Sequence, residues 1–137
     1  MSVNNVELAR LWIEKAENDL VSASHLIKLV DGPLDNVCFH AQQVVEKSIK
    51  GLLIIHQVEF TKTHNLVLLL DRCLPFIPNL DDYREQFAEM TAYAVEIRYP
   101  RDFFTPSKDE AKSALDIAEE VLAIVRKQFA GKTGENE

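Results

Sequence analysis

Residues 37–53, VCFHAQQVVEKSIKGLL, decide the fold of this chain. At about 100° per residue, a helix through this stretch places its small and apolar residues on one arc, which continues to Ile55. That arc consists of Val37, Ala41, Val44, Val45, Ser48, Leu52 and Ile55. The opposite side carries His40, Gln43, Lys47 and Lys50, interrupted by Phe39 and Ile54. The pattern predicts a helix with one buried face and a second face of mixed character.

A first helix is predicted over residues 6–30, because apolar residues recur there every three or four positions. They are Leu8, Trp12, Ala16, Leu20, Ala23, Ile27 and Val30. The sequence Asp31-Gly32-Pro33 ends this helix. We expect Pro33 to occupy the first turn of the second helix, where its missing N–H is not needed, and that helix to run to about Val58.

A short third helix is predicted next, with Thr63 as its N-cap. Its inward residues are Leu66, Leu69, Leu70 and Cys73. Pro75 and Pro78 close it, and Asn79 is the predicted cap of a fourth helix. The fourth helix is expected to end near Arg98, since residue 99 precedes a proline and is disfavoured in the α region.

Apolar spacing also defines the last two helices. The buried stripe of the fourth is predicted to be Tyr83, Phe87, Met90, Ala94 and Ile97. Ser107 and Glu110 have the spacing of a capping box, which begins a fifth helix. The residues expected inside are Ala111, Leu115, Ala118, Leu122, Val125 and Phe129.

Four long helices joined by short connections, with no segment typical of a strand, predict an all-α fold. We expect an antiparallel up-down four-helix bundle with an additional short helix. A single domain is predicted over residues 5–130, followed by a disordered tail over residues 131–137, GKTGENE. At 137 residues, such a domain buries enough apolar surface to fold without metal or disulfide staples.

The composition also indicates the environment. Cys38 and Cys73 are the only cysteines, and their apolar neighbours are typical of small core residues in a reduced cytosolic protein. No apolar run approaches the roughly 20 residues of a membrane span, and no signal sequence opens the chain. We therefore expect a cytoplasmic protein without membrane contacts.

Charge is distributed unevenly along the chain. The net charge of -7 argues against non-specific nucleic-acid binding across the whole surface. Two segments are nevertheless positive: residues 37–65 contain three basic and two acidic residues, and residues 97–108 contain three basic and one acidic residue. If these segments meet in the fold, they form a local anion site.

Standard enzyme signatures are absent from the sequence. There is no Glu-x-x-His pair of the kind that builds di-metal sites in bundles, no glycine-rich phosphate loop, and no serine in a nucleophile elbow. No metal site or cofactor is therefore predicted, and no catalytic residue is assigned.

The candidate ligand-binding residues come from the two positive segments. Arg98 and Arg101 bracket Tyr99, and an arginine fork beside a tyrosine ring suits a phosphate and a base; a cation in a last helical turn also offsets the helix dipole. His64 either braces its loop or transfers protons. The second helix adds His40, Gln43, Lys47 and Lys50. The alternative for that helix is a solvated face on which Glu46 pairs with Lys50.

Three segments carry a resemblance to a known family. They are LDNVCFHAQQVVEKSIKGLL at 34–53, TKTHNL at 61–66 and YAVEIRYP at 93–100. With these motifs and this helix order, the chain resembles the HEPN domain family over nearly its whole length apart from the tail. The resemblance implies a bundle of about four long helices and a short one, a homodimer, and a minimal nucleotidyltransferase as the partner in a toxin–antitoxin pair.

The resemblance also implies a ribonuclease motif, of which this chain has only half. Many HEPN toxins resemble metal-independent ribonucleases, in which a histidine follows an arginine after four to six residues. Arg98 matches the arginine, but Phe103, Phe104 and Thr105 occupy the positions of the histidine, and none of them transfers a proton as an imidazole does. Ribonuclease activity is therefore not carried over from the family.

Three hypotheses remain, in order of preference. The first is a dimeric partner of a minimal nucleotidyltransferase that binds a nucleotide or an RNA phosphate. The second is a metal-independent ribonuclease with a rearranged dyad, in which His40 or His64 replaces the missing histidine. The third is a purely structural dimerisation module that uses the mixed face of the second helix.

Overall fold

The computed structural model describes residues 3–94 and 105–134, and this part of the chain contains five α-helices and no strand. The helices are α1 Val3–Leu26, α2 Leu34–Ile55, α3 Leu66–Cys73, α4 Arg84–Thr91 and α5 Lys108–Thr133. Two 3₁₀ segments, Pro78–Tyr83 and Ala92–Ala94, flank α4. No described helix is both long and apolar enough to cross a membrane. The predicted all-α fold class is confirmed.

Side-chain contacts show that α1 and α2 run in opposite directions. Asp19 of α1 contacts His40 and Lys47 of α2. Trp12, which comes earlier on α1, contacts Lys50, which comes later on α2. Residues late in α1 therefore contact residues early in α2 and the reverse, so the two helices are antiparallel.

The same reasoning orients α4 and α5. The hydroxyl of Tyr83 donates to Glu120 at 2.7 Å, and that of Tyr93 donates to Glu110 at 2.5 Å. The helical run over residues 78–94 is thus antiparallel to α5. With the short α3 inserted between α2 and this run, the order agrees with the predicted up-down bundle.

Helix α2 is the central helix, and it contacts each of the other four. All residues of the predicted apolar arc are buried. In total 14 of its 22 residues are buried, which is more than one helical face can hold. As a result, the polar residues Gln42, Glu46 and Lys50 are also removed from solvent, and each needs a hydrogen-bond partner.

The buried stripe of α1 differs from the predicted one. Leu8 is 47% exposed and Val30 is 91% exposed, so the prediction is wrong for both residues. Ala16 and Ala23 are buried as predicted, and Ala9 and Ile13 are buried although they were not in the predicted stripe. Val30 is exposed because α1 ends at Leu26. Leu8 is exposed because its neighbour Ala9 is the residue that faces α2, at Gly51.

The reason for small residues on α1 is the close approach of the two helices at Gly51. A Cβ added at Gly51 would lie 3.2 Å from both the carbonyl oxygen of Ala9 and the side chain of Ile13. These distances are tighter than ordinary van der Waals contact. Apolar periodicity cannot indicate such a crossing, because it weights a leucine above an alanine.

The boundaries of α2 also differ from the predicted ones. Pro33 precedes the helix as its N-cap and does not lie in its first turn. At the other end, Gln57 has a φ of 58°, and the N–H of Val58 donates to the carbonyl of Leu53 at 2.9 Å. This is the hydrogen-bond pattern of a Schellman motif, so α2 ends at Ile55 and not near Val58.

The predicted caps of α3 and α4 are wrong. Asn65, not Thr63, caps α3, since its Oδ1 accepts from the N–H groups of Val67 and Leu68. Asn79 caps no α-helix, because Pro78 begins a 3₁₀ segment and regular α geometry starts only at Arg84.

The interior residues of these helices largely agree with prediction. The inward residues of α3 and α5 are all buried, and Phe87 and Met90 of α4 are buried while Tyr83 and Ala94 are half-buried. Ile97 and the predicted end of this helix lie outside the described residues.

Helix α5 begins and ends with recognisable capping groups. The hydroxyl of Ser107 accepts from the N–H of Glu110 at 3.0 Å, as predicted. The carboxylate of Glu110 accepts from Tyr93, which ties the start of α5 to the end of the α4 run. At its other end, α5 continues to Thr133 before Gly134 adopts a φ of 75°. The helix therefore includes three residues of the predicted tail.

The two cysteines are buried and free, as predicted for core residues. Burial raises the pKa of the Cys38 thiol to about 11 and that of Cys73 to about 12. Both side chains are therefore protonated at neutral pH and behave as small apolar residues.

Candidate functional site

The α2 polar row, His40, Gln43, Lys47 and Lys50, is the centre of the candidate site. Its residues recur at intervals of three or four, so they follow one another along a single side of the helix. That side is not open to solvent: His40, Gln43 and Lys47 are half-buried, and Lys50 is buried. Two carboxylates, one from α1 and one from α2 itself, hold the row in place.

Asp19 of α1 is the first of these carboxylates. Its Oδ1 lies 2.8 Å from His40 Nδ1, and its Oδ2 accepts from Lys47 Nζ at 2.6 Å. The carboxyl is 12% exposed, the lysine 23% and the imidazole 28%. One carboxylate thus binds a histidine with one oxygen and a lysine with the other.

Glu46 of α2 is the second carboxylate, and it repeats this arrangement. Its Oε1 lies 2.8 Å from His64 Nδ1, and its Oε2 accepts from Lys50 Nζ at 3.0 Å. The side-chain amide of Gln42 donates to Oε1 as well, at 3.0 Å. Gln43 in turn donates to the amide oxygen of Gln42 at 2.6 Å. Each carboxylate therefore pairs with one histidine and one lysine.

These hydrogen bonds decide the ionisation of Glu46. Burial acts to raise its pKa, but the hydrogen bonds from Gln42, His64 and Lys50, together with the charge of Lys50, outweigh burial and lower the pKa below 4.5. The group is therefore an ionised carboxylate at neutral pH, although only 3% of the residue is exposed.

The Trp12 ring packs against the Lys50 ammonium of the Glu46–Lys50 ion pair. The Lys50 ammonium lies 5.4 Å from the centre of the Trp12 ring, which is within cation–π distance. The predicted i,i+4 pair is confirmed, but its predicted surface location is wrong. With side-chain exposures of 4% and 8%, the pair belongs to the interior.

His64 differs from the rest of the site because its side chain is 68% exposed. A carboxylate can only accept hydrogen bonds, so Nδ1 of His64 is protonated and donates its hydrogen bond to Glu46 Oε1. In the neutral imidazole this leaves Nε2 unprotonated and able to accept a proton. The same reasoning applies to His40 with Asp19, but His40 is less exposed.

The contact with Glu46 also braces the loop before α3, as predicted for one role of His64. The backbone carbonyl of His64 accepts from the Gln42 amide at 3.4 Å. Both the side chain and the backbone of His64 are therefore held by α2. An exposed imidazole fixed by a buried carboxylate can bind an anion or transfer a proton.

The polar row is not the positive surface that the sequence suggests. Lys47 and Lys50 are each neutralised by a carboxylate, so the network has no formal net charge while the histidines are neutral. Attraction for an anion must then come from protonated imidazoles or from arginines elsewhere. Because each ammonium is already paired with a carboxylate, Lys47 and Lys50 are less suited to bind a phosphate directly than the sequence suggests.

Asp19, Gln42 and Glu46 are site residues that the sequence interpretation did not select. Asp19 had a detectable signal, because it lies between Ala16 and Ala23 on the buried stripe of α1, where a charged residue requires a partner. Gln42 and Glu46 had a weaker signal in the sequence, since their burial depends on how many helices pack around α2.

The comparison with known families decides the identity of the fold. A family model described as the HEPN domain matches residues 9–128. This chain belongs to the HEPN family. The match runs from Ala9 within α1 to Gln128 within α5 and includes every described residue of the candidate site.

Two individual relatives agree with this assignment. The HEPN chain is 28% identical to the "Putative toxin MJ1304" of Methanocaldococcus jannaschii, with 95% of this chain and 93% of the relative aligned. It is also similar to the crystal structure of ST0689, described as an archaeal HEPN homologue, with a TM-score of 0.69 and 24% identity over 88% of this chain and 97% of that one. The latter likeness supports the fold.

Three of the candidate ligand-binding residues of this HEPN chain, Arg98, Tyr99 and Arg101, lie outside the described residues. The structure places the other five in two clusters along α2: His40 and Lys47 bind Asp19, Lys50 and His64 bind Glu46, and Gln43 reaches the second cluster through Gln42. Within residues 3–94 and 105–134, no group of three or more histidine, cysteine or acidic side chains has the arrangement of a metal site.

Proposed function

We propose that this HEPN protein binds an RNA or nucleotide phosphate, with His64 and Arg98 as its main contacts, as part of a toxin–antitoxin module. In this proposal the protein is a cytoplasmic homodimer, and its partner is a minimal nucleotidyltransferase. The relationship to a protein named as a toxin supports the biological setting. The observation that carries the proposal is the exposed His64 imidazole, fixed through Nδ1 by the buried Glu46.

The geometry of His64 suits a phosphate better than it suits a purely structural contact. A bracing histidine needs only Nδ1, yet the remainder of this ring is open to solvent. A protonated imidazole donates from Nε2 to a phosphate oxygen, and a guanidinium adds a bidentate contact. Lys47 and Lys50 contribute indirectly, because each binds the carboxylate that also holds a histidine, Asp19 for His40 and Glu46 for His64.

Binding of short single-stranded RNA and of mononucleotides tests this proposal. We expect His64→Ala and Arg98→Ala each to weaken binding by about tenfold, which corresponds to the loss of one charge-assisted hydrogen bond. His25→Ala is the matched control, since it removes an exposed histidine in the last turn of α1 that is not part of the polar row. Equal affinity of wild type and both site variants would exclude His64 and Arg98 as ligands.

A second candidate function is metal-independent cleavage of RNA, and the Glu46–His64 pair favours it. In this reaction Nε2 of His64 accepts the proton of a ribose 2′-hydroxyl while that oxygen attacks the adjacent phosphorus. The bond from phosphorus to the 5′-oxygen breaks, and that oxygen receives a proton from a second acid, for which His40 is the candidate. The products are a 2′,3′-cyclic phosphate and a free 5′-hydroxyl, so no co-reactant is required. Glu46 acts as the group that orients the base.

Cleavage assays in the presence of a chelator separate the two functions. If the protein is a ribonuclease, we expect His64→Ala and Arg98→Ala each to reduce the cleavage rate by at least about 100-fold, the usual contribution of general acid–base catalysis. His25→Ala should cleave at the wild-type rate. Absence of cleavage by wild-type protein purified free of its partner would end the ribonuclease hypothesis and leave the binding function standing.

A further inference from the structure

Gln43 is the member of the α2 polar row that binds neither of the two carboxylates of the site. The other three residues of the row each contact Asp19 or Glu46. The side chain of Gln43 is half-buried, and its amide nitrogen donates to the Oε1 of Gln42 at 2.6 Å. Its place in the site is therefore set by another amide and not by a charge.

The orientation of the Gln42 amide is fixed by its surroundings. Gln42 is fully buried, and its nitrogen lies 3.0 Å from Glu46 Oε1 and 3.4 Å from the backbone carbonyl oxygen of His64. Both of these oxygens only accept hydrogen bonds, so the group that faces them is the NH2, which has two protons to donate. The reverse orientation would place a carbonyl oxygen against two other acceptors. The Oε1 of Gln42 therefore faces Gln43.

The orientation of the Gln43 amide follows from that of Gln42. Because Gln43 meets a carbonyl oxygen, it presents its NH2 group there, and its own carbonyl oxygen lies on the other side of the amide. Among the described residues, no donor bonds this oxygen. It is not buried either, since the buried side-chain atoms without a partner in this part of the chain are Ser48 Oγ and His56 Nε2. Gln43 thus presents to solvent an acceptor whose orientation is fixed from the interior.

This acceptor lies close to His64, the residue proposed to contact a phosphate. Gln43 binds Gln42, and Gln42 binds the backbone carbonyl of His64. Glu46 links Gln42 and His64 a second time, because its Oε1 accepts from the Gln42 amide and from His64 Nδ1. A single side chain, Gln42, therefore separates Gln43 from His64.

An acceptor beside a phosphate has one complement in the backbone of a nucleic acid. The phosphate oxygens and the ring, 3′ and 5′ oxygens of an internal nucleotide only accept hydrogen bonds. The ribose 2′-hydroxyl also donates one, and it is the group by which a protein distinguishes RNA from DNA. A fixed acceptor at this place therefore suits ribose and gains nothing from deoxyribose.

We infer that Gln43 determines specificity for ribose: its Oε1 accepts a hydrogen bond from the 2′-hydroxyl of the nucleotide whose phosphate contacts His64. This inference rests on the proposed function, because the phosphate at His64 brings the sugar to Gln43. It adds the sugar as the recognised group and makes RNA, and not DNA, the preferred ligand of the site.

Three oligoadenylates of equal length, made as RNA, as DNA and as 2′-fluoro RNA, test this inference. The amino group of the base is common to all three strands, so only the sugar differs. Fluorine at the 2′ position cannot donate a hydrogen bond. Fluorescence anisotropy measures the affinities, and electrophoresis afterwards checks that the RNA is intact. We expect the full chain to bind the RNA about five- to tenfold more tightly than either other strand, which corresponds to one hydrogen bond.

Two variants of Gln43 separate its acceptor from its donor. Gln43→Lys keeps a donor for Gln42 Oε1 but has no acceptor, so we expect it to bind the three strands with equal affinity. Its added charge strengthens phosphate binding by all strands alike and cancels in the ratio of affinities. Gln43→Ala should lose the preference as well. It leaves the buried oxygen of Gln42 without a donor, and Gln43→Lys keeps the test valid if the alanine variant does not fold.

Controls at two other residues complete the experiment. Gln86→Ala removes an exposed glutamine of α4 and should keep the preference for RNA. His64→Ala should weaken the binding of all three strands by a similar factor, since each strand has the phosphate that His64 contacts. Equal affinity of the wild type for the three strands, or a preference for RNA retained in a folded Gln43 variant, overturns the inference alone. Absence of binding by every strand overturns the proposed function together with the inference.

Discussion

Replacement of Glu46 by glutamine is expected to destabilise the protein by about 3–5 kcal/mol, because it leaves the Lys50 ammonium buried without a counter-charge. Lys50 is only 6% exposed, so water cannot replace the lost carboxylate. The Trp12 ring remains, but a cation–π contact is weaker than the pair that the substitution removes. For a chain of this size, we expect the melting temperature to fall by about 10 °C or more.

The pH dependence of this effect provides an internal check. The folded-state pKa of Glu46 is lowered relative to its unfolded value of about 4.5, so the carboxylate contributes stability that is fully present above pH 4.5 and is lost as the pH falls through the lowered pKa. Denaturant unfolding should therefore show a large difference between wild type and Glu46→Gln at pH 7 and a smaller one near pH 3. A difference that does not change with pH would contradict the assignment.

A matched double variant separates the buried charge from other effects. In Glu46→Gln/Lys50→Met the unpaired ammonium is gone, and an apolar side chain of similar length takes its place. We expect this variant to be more stable than Glu46→Gln alone, because a buried ion pair is often replaceable by apolar residues although neither partner can be removed singly. If the double variant is the less stable of the two, the buried ammonium is not the source of the loss.

Replacement of Gly51 by leucine is the other change with a large expected effect, about 3 kcal/mol or more. Even the Cβ would lie within 3.2 Å of the Ala9 carbonyl oxygen and of Ile13, and 3.4 Å from the Cβ of Trp12. Backbone atoms cannot move aside without shifting α1, so the substitution forces the two helices apart. Overpacking of a well-packed core usually costs about 1–3 kcal/mol, and more where the backbone must move.

Gly131 supplies the matched control for this prediction, because it is the other glycine inside a long helix. Gly51→Ala should destabilise the protein, whereas Gly131→Ala should stabilise it by up to about 1 kcal/mol through helix propensity alone. Urea unfolding of the two alanine variants measures both effects against the same wild type. Destabilisation of similar size at both positions would show that the close approach of α1 and α2 is not what restricts Gly51.

The residues that sequence predicted well are those whose environment is set by their own helix. The arc from Val37 to Ile55, the capping serine of α5 and the interior of α5 all follow from local periodicity and hydrogen bonding. The errors arise where packing against another helix decides which residues are buried. Leu8 was predicted inside because leucine outranks alanine in hydropathy, but the crossing at Gly51 selects the smaller residue.

In the candidate site, too, some properties follow from the local sequence and others from contacts between helices. The sequence by itself determined the fold class, the family and the set of polar residues on α2, because a 3.6-residue period and the motifs FHAQQ, KTH and RYP are local properties of the chain. Only the tertiary structure decided what those residues do to one another. Asp19 and Glu46 place two apparent cationic ligands in ion pairs, one half-buried and one buried, while His64 stays exposed. The physical reason is that burial and pairing depend on distances across helices, which residues 21 or 28 positions apart in sequence do not reveal.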